Sequence, residues 1–261
     1  EGDTLASALL SNGIHLVGRS FKYHRPRGIM SCGSEEPNAI CQINDNTDLT
    51  EPNVRATEIE LYEGLKASSQ NCWPSLNFDI GGINNLISPF IPAGFYYKTF
   101  MWPKSFWKKI YEPLIRLSAG LGKSPSQPDP DIYDHKHEHC DVLVIGGGIS
   151  GIISAKIAAK NNLKTILIED KNILGGSTIY QNNKNFIIDN KKSNEWLMNE
   201  ISELEKLDNL IIKTRTSLAA FHSYNYLLAK ENISDHLPLD KKNGDIRQRL
   251  WKIRADKVIV A

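Results

Sequence analysis

The sequence lacks the features of a secreted or membrane-spanning protein. The sequence contains no run of about 18 apolar residues, which a membrane-spanning helix would need. It also lacks the positively charged start and following apolar stretch of a signal peptide. The few cysteines are irregularly spaced, which favours free thiols in a reducing compartment over a disulfide framework; they are Cys32, Cys41, Cys72 and Cys140. We therefore expect a cytoplasmic protein.

An excess of charge of one sign is also lacking. The 31 Lys and Arg residues nearly balance the 30 Asp and Glu residues, so neither nucleic acid nor a membrane is expected as a partner. The first residue is Glu1 instead of Met, and residues 257–261 have the composition of a buried strand that is cut short. We expect a fragment of a longer chain that is not stable alone.

The first half of the sequence predicts a small domain followed by an irregular arm. One helix and three strands are predicted in the domain, at residues 3–12, 14–17, 38–43 and 54–61. Residues 63–138 are rich in Pro and aromatic side chains, which favours an arm with a candidate helix at 102–117 and a linker at 124–130. We place the first domain at residues 1–62.

The second half predicts an α/β domain at residues 139–261. Strands and helices alternate there, at residues 141–145, 149–160, 165–168, 193–207 and 210–213. Residues 216–256 then have the alternation of a β-meander, with 249–254 as its clearest strand. This order is typical of a Rossmann-like dinucleotide-binding domain.

A glycine motif joins the first strand of this domain to its first helix. Gly146, Gly148 and Gly151 match the pattern G-x-G-x-x-G. The first glycine permits a tight turn, the second lets the backbone approach a pyrophosphate, and the third lets the helix pack close to the sheet. Because the helix N-terminus also offers free N–H groups to phosphates, we expect Gly147 and Ser150 to belong to the site as well.

An acidic residue, Glu169, ends the second predicted strand about 20 residues after the glycine motif. Its carboxylate can accept hydrogen bonds from a ribose 2′-hydroxyl and repels a 2′-phosphate, so NAD or FAD is expected instead of NADP. The next residues resemble the flavoprotein superfamily shaped like glutathione reductase, in which a Gly-Gly pair lies near the pyrophosphate. They extend the predicted site to Asp170, Lys171, Gly175, Gly176 and Ser177. The spacing leaves NAD and FAD both open.

Two other segments carry side chains of the kinds that bind metals or nucleic acid. His135, His137 and His139 alternate as ligands on one strand face would, but no matching Cys or His cluster occurs, so a structural or surface role is predicted. The basic, aromatic loop at residues 19–28 lies in a chain of near-zero net charge, which favours a buried anchor at a subunit contact over nucleic-acid binding.

Six segments together resemble the alpha subunits of heterotetrameric sarcosine oxidases over nearly the whole chain. They are GDTLASAL (2–9), GRSFKYHRPRG (18–28), EEPNA (35–39), YDHKHEHCDVLV (133–144), SDHLP (234–238) and RLWKIR (249–254). The resemblance implies that residues 1–62 form a ferredoxin-like β-grasp domain whose first strand is missing. Only Cys32 and Cys41 occur there, and Ser31, Glu36 and Ala39 stand where cluster ligands would fall, so no iron–sulfur cluster and no metal is predicted.

The resemblance also implies what the assembled enzyme does. The Rossmann-like domain would bind NAD, the amine-oxidising FAD would lie in the beta subunit, and a covalent FMN would lie between the alpha and beta subunits. Gamma and delta subunits would complete the assembly, and tetrahydrofolate would bind a C-terminal part of the alpha subunit that this sequence does not contain. The reaction implied is oxidative demethylation of sarcosine to glycine, coupled to O2. No residue of this chain is predicted to be catalytic.

Three alternatives stay open at this point. Substrate identity would reside in another chain, so the subunit could serve a related amine oxidoreductase such as N-methylglutamate dehydrogenase or an opine oxidase. The chain could be a non-catalytic assembly module whose nucleotide never turns over. A stand-alone FAD reductase is the third alternative, and it would need a second nucleotide-binding domain after residue 261.

Overall fold

The computed structural model describes residues 2–44, 50–86, 88–90, 94, 100–180, 186–238, 241–242 and 244–261. It divides the chain into two compact units, Asp3–Pro130 and Asp131–Ala261. Within the described ranges, no helix is both long enough and apolar enough to cross a membrane.

The first unit opens with a short, well-capped helix, α1 (Leu5–Ser11). The Thr4 hydroxyl accepts a hydrogen bond from the Ser7 N–H at 3.3 Å, and the Ser7 hydroxyl accepts one from the Thr4 N–H at 3.0 Å. This reciprocal arrangement satisfies two backbone donors that a helix start leaves unpaired. The helix predicted at residues 3–12 is confirmed with slightly narrower bounds.

The strands of the first unit are short. They are β1 (Gly18–Arg19), β2 (Pro26–Arg27), β3 (Ile40–Ile43), β4 (Glu51–Arg55) and β5 (Ala67–Ser69). β1 pairs with β2, and β3 lies between β4 and β5 in an antiparallel sheet over a small core of Ala6, Val17, Ala39, Cys41, Ile43 and Ala56.

Two strands of the first unit were predicted at the wrong place. The predicted strand at 14–17 is wrong, because only Val17 of that segment is buried and pairing begins at Gly18. The strand predicted at 54–61 ends at Arg55, because the Glu58 N–H donates to the Arg55 carbonyl and turns the chain.

Part of the predicted arm packs against the basic loop within this unit. The Arg19 guanidinium donates to the Leu76 carbonyl, with Nε at 2.9 Å, and His24 Nδ1 lies 2.7 Å from Asp79 Oδ2. The arm has the helices α2 (Ile83–Leu86) and α3 (Glu112–Ser118), the latter preceded by a π-helical turn, Trp107–Tyr111. The helix predicted at 102–117 therefore starts five residues late, at Trp107.

The second unit is built on a six-stranded sheet with the order β10-β7-β6-β13-β12-β11. Its strands are β6 (Ile132–Ile145), β7 (Thr165–Ile168), β10 (Leu210–Lys213), β11 (Thr216–His222), β12 (Tyr226–Asn232) and β13 (Ile246–Val260), while β8 (Ile187–Ile188) and β9 (Lys191–Lys192) form a separate hairpin. The first four strands in that order are parallel, and β12 and β11 continue antiparallel from β13.

Two helices, α4 (Ile149–Lys160) and α5 (Ser193–Leu204), share one apolar core with one side of the parallel strands. The members of that core include Val142, Val144, Leu167, Ile152 and Trp196. A second core lies on the other side and includes Leu143, Ile166, Leu227, Trp251 and Ile253. Residues 166–168 of β7 and 142–144 at the end of β6 are apolar because both of their sides are buried.

The predicted elements of the second unit are mostly confirmed. The predicted bounds match those of two strands, 165–168 and 210–213, and of one helix, 149–160. The helix predicted at 193–207 ends earlier, at Leu204. The first strand is longer than predicted and begins at Ile132, because Arg249 of β13 pairs with Asp134 and keeps these polar residues in the sheet. The apolar run 257–261 continues the meander strand predicted at 249–254 as far as Val260.

Candidate dinucleotide site

The loop between β6 and α4 needs glycine at particular positions. Gly146 has φ +100, a conformation that residues with a side chain rarely adopt. A Cβ on Gly151 would lie 1.8 Å from the Gly146 carbonyl oxygen, so a side chain there has no room. A Cβ on Gly148 would meet no atom within 4 Å, which means that the chain itself does not require this glycine. Gly148 instead leaves open space next to the start of α4.

The second predicted glycine pair lies directly against this loop. The Gly175 N–H donates to the Gly147 carbonyl at 2.8 Å. Gly176 has φ +52, and a Cβ on it would lie 3.0 Å from the Cα of Gly148. The fold thus brings the glycine loop and the Gly175-Gly176 pair together. Both segments were expected to lie near one pyrophosphate, and this arrangement is compatible with that expectation.

Glu169 at the end of β7 holds the glycine loop. Its side chain is buried, Oε2 accepts from the Gly147 N–H at 2.5 Å, and Oε1 accepts from the Lys171 N–H at 2.9 Å. A carboxylate offers about four acceptor positions, so these two bonds and a hydrogen bond with the Asp170 carboxyl still leave capacity for a hydroxyl donor. The residue predicted from the sequence to bind the ribose is therefore in direct contact with the loop that would hold the phosphates.

The environment of Glu169 changes its protonation. Burial and, to a smaller extent, a hydrogen bond with the Asp170 carboxyl raise its pKa to about 7, against the opposing effect of the N–H donors of Lys171 and Gly147. The charged and neutral forms of this carboxyl are therefore both populated near neutral pH.

The remaining predicted site residues are more exposed. The Asp170 side chain faces solvent, with Lys171 Nζ at 3.9 Å from Asp170 Oδ2. Ser150 in the first turn of α4 and Ser177 after the Gly-Gly pair are also exposed. Neither hydroxyl takes part in the hydrogen bonds of the loop described above.

Thr178 was missed by sequence reasoning. It is buried, its N–H donates to the Gly175 carbonyl at 3.1 Å, and its hydroxyl has no hydrogen-bond partner within the described ranges. Buried hydroxyls are rarely left unpaired, so a ligand hydroxyl or phosphate is a suitable partner. Only the burial identifies this residue, because a threonine after Ser177 carries no sequence signal of its own.

A second buried carboxylate, Glu36, organises the loop before β3 in the first unit. Its Oε2 accepts from the N–H groups of Met30 and Ser31, both at 2.7 Å, and its Oε1 accepts from those of Asn38 and Ala39, at 2.8 and 3.2 Å. Burial alone would raise the pKa of Glu36, but the four N–H donors outweigh it and lower the pKa below its usual value.

The cysteines of the first unit do not fit an iron–sulfur cluster. Cluster ligation takes four thiolates, and residues 1–72 contain three cysteines. Cys41 packs in the core, where burial raises the pKa of its thiol to about 11, whereas Cys32 is exposed. The donor set is therefore incomplete, and one donor is held in the form that does not ligate.

The histidines on β6 do not assemble a cluster with other metal ligands. The rings of His135 and His137 lie 6.2 Å apart on the same strand. Across the part of the chain that the structure describes, no group of three His, Cys, Asp or Glu side chains is placed to hold a metal ion.

Two family models match separate parts of the chain. Residues 1–72 match a model described as a 2Fe-2S iron-sulfur cluster binding domain. Residues 141–235 match a model described as an FAD dependent oxidoreductase. The second match includes the glycine loop, Glu169 and the Gly-Gly pair.

Curated relatives match the chain from end to end. The chain is 47% identical to sarcosine oxidase subunit alpha of Rhizobium meliloti (strain 1021) over 261 residues, all of this chain and 26% of that protein. It is 29% identical to sarcosine oxidase subunit alpha of Corynebacterium sp. (strain U-96), covering 22% of that protein. The chain thus spans about a quarter of the length of these relatives, and the resemblance found in its motifs is confirmed.

A solved structure supports the mixed α/β fold. L-proline dehydrogenase from P. horikoshii superimposes with a TM-score of 0.57 at 20% identity, covering all of this chain and 37% of that one. At this identity the likeness establishes the fold alone.

Proposed function

Because this chain is a homologue of sarcosine oxidase alpha subunits, we propose that it is the dinucleotide-binding part of the alpha subunit of a heterotetrameric flavoprotein oxidase. The whole enzyme would oxidatively demethylate sarcosine to glycine, with O2 as electron acceptor and tetrahydrofolate as acceptor of the one-carbon unit. It would act in the cytoplasm with beta, gamma and delta subunits. Identity of 47% over all 261 residues is the main support.

The observation that carries the binding role is the meeting of two glycine segments around Glu169. Gly148 leaves open space, Gly176 approaches it closely, and the start of α4 directs N–H groups there. Glu169 retains acceptor positions for ribose hydroxyls, and Thr178 has a buried hydroxyl to contribute. NAD is the proposed ligand, and FAD is the alternative favoured by the family model over residues 141–235.

The finer fold assignments belong to the same proposal. The parallel order β10-β7-β6-β13 with a meander attached supports a Rossmann-like domain of the glutathione reductase type at residues 139–261. The match over residues 1–72 supports a β-grasp domain at 1–62, here without a cluster, followed by the arm at 63–138.

The residues of this chain would bind and orient the nucleotide. Gly146 to Gly151 would place backbone N–H groups around the pyrophosphate, Glu169 would accept from the adenosine ribose, and Gly175 to Ser177 would close the other side. A bound NAD would supply a hydride acceptor, and FAD would supply an isoalloxazine. We assign none of the residues that the structure describes as a base for amine oxidation, and we assign that step to a partner subunit.

The proposal is tested by identifying the nucleotides of the purified, full-length oxidase. After denaturation, mass spectrometry should find NAD and one free FAD, with a further flavin still attached to protein. The Gly148→Ala variant should lose the NAD. The matched control is Gly82→Ala, because a Cβ on Gly82 also meets no atom within 4 Å and lies far from the loop in sequence. FAD released from the alpha subunit, with no NAD, would overturn the NAD assignment and favour a flavoprotein reductase.

A further inference from the structure

The first unit contains a pocket with a volume of about 450 Å³, which we call the loop pocket. One of its walls is the basic loop, at residues 18–23 and 27, and another is formed by residues of β3, β4 and β5. A third wall is the segment after α3, residues 119–121. The volume is in the range that accommodates a small organic molecule, and no residue of the glycine loop at 146–151 lines this pocket.

The charged side chains that line the loop pocket are all cations, and they are Arg19, Lys22 and Arg27. No Asp or Glu is among the described residues that line it. Glu36, which is bonded to the lining residue Asn38, is occupied by four N–H groups. Asp79 is occupied by His24 and by two N–H groups. The charges of the lining therefore favour an anion.

Two of these cations keep a charge that no carboxylate of the described ranges neutralises. Arg19 is fixed by neutral groups, since its Nε donates to the Leu76 carbonyl at 2.9 Å and its Nη1 donates to the His24 carbonyl at 3.2 Å. Arg27 is exposed, and its guanidinium makes no ion pair within the same ranges. A guanidinium is planar and matches the paired oxygens of a carboxylate or a phosphate.

Side-chain amides join the walls of the loop pocket to one another. Asn71 Nδ2 donates to the Arg19 carbonyl at 2.8 Å, which ties the basic loop to the segment after β5. The Asn53 N–H donates to Gln70 Oε1 at 2.7 Å, and Gln70 Nε2 donates to Asn53 Oδ1 at 2.9 Å. The Gly122 N–H also donates to Asn53 Oδ1, at 3.1 Å. A pocket whose walls are already joined costs a ligand less ordering than one that must form on binding.

Apolar side chains complete the lining of the loop pocket. They include Phe21 and Leu121, each 61% exposed, and Ile40 of β3. Their exposed surface would be removed from water by the apolar part of a ligand, while the cations would contact its acidic group. The lining thus matches a molecule that has both parts.

We propose that the loop pocket binds a small organic anion, with a carboxylate or phosphate group on a partly apolar body. All of the lining residues belong to the first unit, so the inference does not rest on the dinucleotide site of the second unit. It differs from the subunit contact that the sequence predicts for the basic loop, and the experiments below distinguish the two.

The first test measures hydrogen exchange of the wild-type, full-length oxidase, purified with its partner subunits and saturated with NAD. The probes are phenyl phosphate and benzoate, with benzyl alcohol as the neutral control and inorganic phosphate as the control without an apolar body. At ten times its dissociation constant, the better probe should slow exchange about tenfold in peptides covering residues 18–27 and 69–71. Its identity shows whether phosphate or carboxylate is preferred.

Three results of this experiment would overturn the proposal. They are no slowing by either anion, equal slowing by benzyl alcohol, and equal slowing by inorganic phosphate. A partner subunit that covers the basic loop would keep the probes out of the pocket and give the first of these results.

The second test removes two of the cations, in the variant Lys22→Gln and Arg27→Gln. The control is Lys104→Gln and Lys108→Gln, which makes the same charge change at exposed positions of the arm that do not line the pocket. The better probe should bind the variant about tenfold more weakly than the wild type and bind the control unchanged, as followed by the same exchange peptides. Equal affinity for variant and wild type would overturn the proposal. The first test uses the wild-type enzyme and so decides the proposal even if the variant does not fold. Bound NAD is identified separately, so failure here leaves the dinucleotide proposal standing.

Discussion

The two units each bury one glutamate against backbone N–H groups, and the two carboxyls have opposite properties. Glu36 in the first unit accepts from four N–H groups, and its pKa is lowered. Glu169 in the second unit accepts from two, and its pKa is raised to about 7. A carboxylate saturated with donors organises its own loop, whereas one with spare acceptor positions remains able to bind a ligand.

The comparison also separates two ways of shaping a loop. The loop before β3 contains Glu36 and is held by that side chain, with a core of six small and medium residues beneath it. The loop before α4 keeps its conformation only if Gly146 and Gly151 lack side chains, since a Cβ at either position would disturb the loop. The loop before β3 therefore depends on the hydrogen bonds of one charged side chain, whereas the loop before α4 depends on positions that have no room for a side chain.

The largest effect is expected from Gly151→Ala, compared with Gly148→Ala. The alanine Cβ at 151 would collide with the Gly146 carbonyl oxygen, so the loop must move and both stability and nucleotide binding should be lost. At 148 the Cβ has space, so the melting temperature of the apoprotein should stay near that of the wild type while nucleotide binding weakens at least tenfold. Calorimetry on the full-length subunit measures both. Equal destabilisation by the two changes would contradict this account of the loop.

Glu36→Gln should be the next largest in effect. A glutamine has one acceptor oxygen where the carboxylate has two, so the partly buried N–H of Met30 or the buried N–H of Ala39 loses its partner, at a cost of up to about 3 kcal/mol. Because the pKa of Glu36 is lowered, its contribution is present above the unfolded-state pKa and is lost as pH falls through the folded-state value. Urea unfolding at several pH values should therefore show a deficit that narrows in acid. The exposed neighbour Glu35→Gln is the control and should change little.

Glu169→Gln should have a smaller effect, with the opposite dependence on pH. Its folded-state pKa is raised to about 7 from an ordinary 4.5, so its stabilising contribution is complete below the ordinary value and is lost as pH rises through about 7. The difference corresponds to roughly 3 kcal/mol at most. Wild-type stability should fall between pH 5 and pH 8 by more than that of the variant. A steeper fall in the variant would contradict the assigned environment.

The smallest effect concerns the thiols. Burial raises the pKa of Cys41 to about 11 and also raises that of Cys140, so neither should react with a thiol reagent in the native protein at neutral pH. Cys32 is exposed and should react rapidly. A colorimetric thiol titration before and after denaturation distinguishes the groups. Rapid native labelling of Cys41, followed by peptide mapping, would indicate that the small core of the first unit is open.

Regular elements of the second unit could be predicted because local patterns decide them. The apolar strand Thr165–Ile168 and the helix Ile149–Lys160 are buried on the sides that their composition indicates. The start of β6 at Ile132 could not be predicted from the sequence. The polar residues at this end of the strand are held in the sheet by pairing with β13, which lies more than 100 residues later in the chain. In the first unit, a strand of two residues such as Gly18–Arg19 leaves too short a pattern to be recognised.

The glycines of the candidate site and Glu169 could be predicted because the spacing of the glycines, and an acidic residue at the end of the next strand, are visible in the sequence itself. Thr178 was missed because its only distinctive property is a buried, unpaired hydroxyl. The role of Glu36 was also missed. The family resemblance placed it where a cluster ligand would fall, but its four backbone contacts depend on the folded loop.

Hydrogen exchange of the full-length subunit with and without NAD tests the central claim most directly. The claim is that the loop beside Glu169 binds a dinucleotide while the loop beside Glu36 holds itself. NAD should slow exchange in peptides covering Gly146 to Gly151 and Gly175 to Thr178, and leave the peptide from Met30 to Ala39 unchanged. Slowed exchange at 30–39 without any change at 146–151 would contradict the account.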